Sequence, residues 1–242
     1  MNFSPVFAAL LAVSSSSPAF SMPADRIAEK LDSIIVFTPI NSTDATQPKA
    51  VNFELNGKSR SVHFAAFSPS AVQKLIQDRL APQNPQLAKS IKFAPFSLSK
   101  FDSIVQPTLK NDNNRVIYVP DPEQVSTAEK LLIQQGAKPS DAAEITETIP
   151  MIFCPEPAIK ATPDKGALKG QSFVPCSTDH QTVQSIIDKG IETNAELKIN
   201  NPRLVAIPIT NFAAMLANGT DKSVGEIRVL TSPSALEAIE RL

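Results

Sequence analysis

Met151-Ile152-Phe153-Cys154-Pro155 restarts a pattern that Ile34-Ile35-Val36-Phe37-Thr38-Pro39 begins, and that restart decides the fold. Each run is short, rich in β-branched and aromatic residues, and ends at or beside a proline, which predicts a strand. The first is followed by a strand at 62–67, an amphipathic helix through 71–78, a strand at 91–96, a short helix to Val105, a strand at 115–119 and a helix opening at Pro122. The second is followed by a strand at 171–175, a helix through 182–189, a strand at 204–209, a helical stretch at 212–216, a strand at 226–230 and a helix opening at Pro233. The offset of about 110–116 residues is far longer than a solenoid period, so the expectation is a duplicated half-domain and not a repeat array. The expected fold class is α/β, an internally duplicated, pseudo-twofold β-sheet core flanked by helices. Its repeats cover about 31–135 and 148–242 within one domain at 22–242.

Helix starts carry a recurring device. Ser68-Pro69, Asp121-Pro122 and Ser232-Pro233 each place a capping oxygen ahead of a proline at the first helical position. Gln124 stands at the capping-box position behind Asp121. Val72, Leu75 and Ile76 form an apolar stripe matched by Val183, Ile186 and Ile187, and Gly190 beyond the second stripe suits a left-handed helix stop. Asn56-Gly57 between Val51–Leu55 and Lys58–Phe64 is the strongest hairpin signal in the chain. The matching region of the second half is a polar loop, 163–170.

At the N-terminus an apolar run, Val6–Val13, leads through serines to Ala19-Phe20-Ser21, so residues 1–21 are expected to be a signal peptide cleaved after Ser21. The other reading is a disordered or membrane-tethering tail. Export is therefore expected. Charge is balanced, 23 basic residues against 24 acidic, with no basic stripe, which argues against nucleic acid as a partner. The chain has 13 Phe, one Tyr and no Trp, and Phe has no polar handle, so these rings belong in a core or an apolar groove. Cys154 and Cys176 end strands expected to be neighbours, and export makes them a disulfide candidate, with two buried free thiols as the other reading.

Catalytic patterns fail on inspection. Gly57-Lys58-Ser59 lacks the glycine and the strand-to-helix setting of a phosphate loop. Cys154, Cys176 and His180 match no zinc spacing, and His63 reads as a satisfied, partly buried strand histidine. There is no Gly-x-Ser-x-Gly elbow, and Asp121, Glu123, Asp179 and Glu237 sit at helix starts where capping accounts for them. The expectation is no catalytic residue, no cofactor, no metal and no enzyme.

The order of these segments resembles the Tic-twenty-two family, soluble components of the chloroplast inner-envelope translocon with cyanobacterial relatives. The resemblance rests on Val36-Phe37-Thr38, Phe67-Ser68 before the 71–78 helix, Asn84-Pro85-Gln86-Leu87, Ala94-Pro95-Phe96-Ser97-Leu98, Tyr118-Val119-Pro120-Asp121-Pro122-Glu123-Gln124-Val125 and Ile149-Pro150-Met151-Ile152-Phe153. Ser172-Phe173-Val174-Pro175-Cys176 departs from the family's element there, and the first strand lacks its usual preceding proline. The resemblance implies a protein-transport factor or chaperone that binds precursor or outer-membrane polypeptides, with an assembly or import channel as a further partner and no stable membrane insertion. It implies the periplasm, with the thylakoid lumen or plastid intermembrane space as alternatives.

Because strand neighbours point to opposite faces, not every ring can enter one core. Phe37, Phe64, Phe101, Phe153, Phe173 and Phe212 are the candidates for a polypeptide-binding groove, with Phe37 paired to Phe153 and Phe64 to Phe173 across the two copies. The competing function is a periplasmic small-molecule binding protein or enzyme with its site between the halves. A shallow apolar groove favours polypeptide, whereas a deep pocket with converging polar groups favours a ligand.

Overall fold

Strand order repeats between two sheets. The computed structural model describes residues 24–41, 44–55, 57–165, 168–218 and 222–241. β1 (Ile35–Asn41), β2 (Asp44–Pro48), β3 (Val51–Leu55), β4 (Lys58–Ala66), β5 (Lys92–Ser97) and β6 (Asn114–Val119) make the first sheet. β7 (Met151–Glu156), β8 (Val174–Ser177), β9 (Arg203–Pro208) and β10 (Ile227–Leu230) make the second. In the first, β1 runs antiparallel between β5 and β4, and β4 runs parallel to β6. In the second, β7 runs antiparallel between β9 and β8, and β8 runs parallel to β10.

The registers agree as well. Phe37 faces Pro95 and Ala66, while Phe153 faces Ala206 and Ser177. Phe37 thus corresponds to Phe153 at an offset of 116, and Ala66–Ser177, Pro95–Ala206 and Val119–Leu230 correspond at 111. That offset matches Phe64 to Pro175 and Phe173 to Val62, which corrects the expected pairing of Phe64 with Phe173. The expected hairpin is there, β3 on β4, with Gly57 at φ +71 as its turn demands; Asn56 lies outside the described residues. In the second half one bridge, Ala161 to Phe173, stands in its place.

The two sheets share one core. Val36, Ala65 and Phe96 from the first cluster with Ile152, Cys154 and Val205 from the second. Helices Ala24–Leu31, Leu98–Val105 and Ile209–Asn218 add Leu31, Phe101 and Phe212 to the same cluster. On the outer faces the helices cross over. Helix Pro122–Gln134 leaves the first sheet yet packs Ala128 and Leu132 with Met151 and Phe153. Helix Pro233–Glu240 leaves the second sheet yet packs Ala235 with Phe37 and Ala66. Each half's last helix therefore covers the other half's sheet, and neither sheet is closed by local sequence alone.

Local chemistry explains the helix ends. Ser68, Asp121 and Ser232 accept from Ala71, Glu123 and Ala235 backbone amides at 3.0, 3.1 and 3.4 Å. Gln124 does not complete a capping box. Its Oε1 accepts from the His180 amide at 3.1 Å and its Nε2 donates to Asp179 at 3.3 Å, tying the two halves together. The 71–78 stripe begins as helix Pro69–Lys74 and continues as a π-helix, Leu75–Leu80. The wider π turn aligns residues five apart, which lets Leu75 and Leu80 both reach the core. Gly190 does not stop its helix, which runs His180–Thr193. A Cβ there would lie 3.1 Å from Leu197 Cδ1, so the glycine admits the next helix, Ala195–Asn200.

Candidate functional site

The sheet edges are where backbone groups lack strand partners, and each edge must be closed or left to bind. Along β10 the molecule keeps a cleft of about 500 Å³. One wall is the strand itself, Ile227 to Leu230. The opposite side carries Glu29, Lys30 and Ser33 from helix Ala24–Leu31 and the turn after it, and Gln171, Ser172 and Phe173 close the end before β8. Lys30 Nζ donates to the carbonyls of Ile227 at 2.7 Å and Gly225 at 3.0 Å, laying its stem along the strand edge. Thr231 Oγ1 donates to Ser33 O at 2.8 Å and pins the far end. Arg228 is exposed on the strand and donates to Gln171 Oε1 at 3.0 Å.

A second void, elsewhere between the halves, is much smaller. Phe67, Asp121 and Gln124 from the first half meet Met151 and Thr178 from the second around a void of about 10 Å³, room for about one water. That void is too small for a small molecule. Among the described residues no group of three or more His, Cys, Asp or Glu could hold a metal ion.

The six candidate groove rings are buried, with Phe64, Phe101, Phe153 and Phe212 at 0%, Phe173 at 3% and Phe37 at 6% exposure. This corrects the groove assignment. Phe101 and Phe212 fill the core between the sheets, Phe37 and Phe153 lie in outer clusters under the crossing helices, and Phe64 packs with Leu75 and Leu80 of the first half's own π-helix. Strand alternation did send rings to both faces, but helices cover both faces. Phe173 differs: it forms part of the lining of the β10 cleft. Cys154 and Cys176 are joined as a disulfide, with their Cα atoms 4.5 Å apart, between β7 and β8. The segment expected to be a signal peptide lies outside the described residues.

His63 departs from expectation, and a second polar site, Asp102 with Tyr118, lies in the interior. His63 is buried, burial lowers its pKa, and its Nδ1 has no partner among the described residues, so it is not the satisfied histidine predicted. Asp102, on helix Leu98–Val105, reaches Tyr118 of β6, whose hydroxyl donates to Oδ1 at 3.3 Å. Burial pushes the Asp102 carboxyl up to about 6, with the Tyr118 bond pulling the other way, and burial followed by the Asp102 charge raises Tyr118. Neither group borders the cleft.

The sign of the Asp102 effect follows from proton counts. From its ordinary value of 3.8 up to about 6, the folded chain holds a proton that the unfolded chain has released. Stability contributed by this group is therefore present at low pH and is lost as pH rises through that window, about 2–3 kcal/mol in all. Asp102→Asn is expected to raise the urea midpoint at neutral pH and to flatten its pH dependence between about 4 and 6. The same change of urea midpoint with pH in both proteins would contradict this.

No family model matches the chain, and no curated protein matches its sequence. Solved structures do match its fold. Tic22 of Anabaena, a protein of protein transport, superposes with a TM-score of 0.65 at 19% identity, over 90% of this chain and 96% of that one. Tic22 from Plasmodium falciparum superposes with a TM-score of 0.61 at 14% identity, over 90% of this chain and 97% of that one. The chain has the Tic22 fold. Among the described residues no helix is long and apolar enough to cross a membrane.

Proposed function

We propose that this chain is an exported, non-enzymatic protein-transport factor that holds extended precursor polypeptide, in the manner of a chaperone, on its way to import or to the outer membrane. The observation that carries the reading is the cleft of about 500 Å³ beside a sheet edge in a protein with the fold of Anabaena Tic22. A fold alone hosts many functions, so the site has to bear the weight. A strand edge offers repeating backbone donors and acceptors, which is the chemistry that recognises extended polypeptide irrespective of its sequence. A periplasmic ligand-binding protein or enzyme would have to use this same cleft, and the perturbed Asp102–Tyr118 pair is not among the residues that line it. Periplasm is the compartment proposed, with cleavage after Ser21, and an outer-membrane assembly or import channel is the onward partner.

Reduced, carboxymethylated α-lactalbumin, which cannot fold, serves as a probe. It is expected to bind the folded protein, and Ser172→Trp, at an exposed cleft position, is expected to weaken that binding at least about tenfold, or about 1.4 kcal/mol. The melting temperature should not move. Absence of any binding by the parent protein would overturn the reading.

A further inference from the structure

Among the described residues, side chains close positions on the edges of β3, β9 and β10, in two different ways. On β3, Gln83 Nε2 donates to Glu54 O at 3.2 Å while its Oε1 accepts from Glu54 N at 3.0 Å. On β9, Gln135 Nε2 donates to Ala206 O at 3.1 Å while its Oε1 accepts from Ala206 N at 2.9 Å. A primary amide carries both a donor and an acceptor, so each glutamine imitates one residue of a neighbouring strand and closes its position completely. On β10 the closing group is Lys30, and an ammonium only donates. It can serve the carbonyls of Gly225 and Ile227 but no amide.

Successive strand residues turn their backbone groups to alternate edges. Ser177 Oγ reaches Leu230 O from the β8 side, and Lys30 reaches Ile227 O from the other, so residues 227 and 229 face outward. The outward amide of Val229 is thus beyond anything Lys30 can satisfy, and Val229 lies in the cleft wall.

We propose that the β10 edge is a strand-addition site, where an extended polypeptide enters the cleft, pairs its backbone with Ile227 and Val229, and displaces Lys30 from Ile227 O. This rests on the polypeptide-holding reading and assigns the atoms that perform it. The occupant is polypeptide because the edge repeats donor and acceptor along a four-residue strand, about 13 Å long, a spacing that another main chain matches. Charge points the same way. The cleft carries Glu29 and Glu226 against Lys30 and Arg228, and Glu226 is also paired to Lys160 at 2.8 Å, so charge of both signs is present and backbone pairing is left to select the occupant. Binding should therefore depend little on salt.

The test uses the full-length protein and a short peptide of alternating valine and threonine, with lysines at both ends for solubility. The peptide is expected to bind and to slow amide hydrogen exchange at Val229 at least tenfold. The same peptide N-methylated throughout should bind at least tenfold more weakly, because it has no backbone donor. Lys30→Ala should tighten binding several-fold by removing the competing plug. If carboxymethylated α-lactalbumin binds while Val229 exchange stays unchanged and methylation has no effect, the edge proposal is overturned and polypeptide holding stands. If neither probe binds, both fall together. The exchange measurement needs no variant, so a poorly folded Lys30→Ala would not spare the proposal.

Discussion

Phe101→Ala and Phe212→Ala are each expected to destabilise the fold by about 3–5 kcal/mol, because each deletes a buried ring and leaves a cavity that its neighbours fill only in part. For a domain of this length that corresponds to a fall in melting temperature of roughly 6–20 °C. Both rings are fully buried, and both stand on helices that enter the cluster shared by the two sheets. The loss should therefore unlock both halves at once and leave a single cooperative transition. Leu236→Ala, on a helix residue 49% exposed, is the control and should move stability by less than about 0.5 kcal/mol. Binding of unfolded polypeptide by the fraction that remains folded should be unchanged. A groove role for these rings would show the opposite pattern, with stability kept and binding lost.

The contrast with the expected groove shows what the sequence could and could not carry. Strand and helix starts were legible because they depend on local chemistry: Leu98–Val105, Pro122 and Pro233 fall where the apolar runs and proline caps put them. The restart at Met151 pointed to Phe37 and Phe153, which hold like places in the strand order of their two sheets. Burial was not, since it depends on which helix covers which sheet. Helix Pro122–Gln134 covers Phe153 and helix Pro233–Glu240 covers Phe37, and both contacts cross from one half to the other. Helix Ala24–Leu31 escaped notice beside the apolar N-terminal run, although Ile27 and Leu31, four apart, are its buried face. That helix supplies Lys30, so the cleft was out of reach as well. The edge plugs Gln83 and Gln135 left no signal, because a glutamine on a helix surface reads the same whether it meets water or a strand.

Loss of the Cys154–Cys176 disulfide is expected to cost about 3 kcal/mol, the loop-closure entropy of a cross-link spanning 22 residues. The bridge matters for a second reason. β7 and β8 pair at one register position among the described residues, Phe153 with Ser177, whereas β7 and β9 pair along their length. The covalent link therefore joins two strands where the ladder between them is shortest. The variant Cys154→Ala/Cys176→Ala avoids a lone thiol, and its urea midpoint against that of the oxidised parent measures the effect. Its own midpoint should not respond to reductant, while the parent's should fall towards it. Equal midpoints for parent and variant under oxidising conditions would contradict a structural bridge.

The claim that polypeptide lies along β10 is most directly tested by photo-crosslinking. A photoreactive residue replaces Arg228, exposed at the cleft, and in a second protein Ile199, whose 83% exposure makes it the most accessible large apolar side chain described. Each protein is irradiated with carboxymethylated α-lactalbumin. The account predicts a crosslinked product from position 228, suppressed by the valine–threonine peptide, and little or none from position 199. Crosslinking from position 199 alone, or equal yields that the peptide fails to suppress, would contradict it.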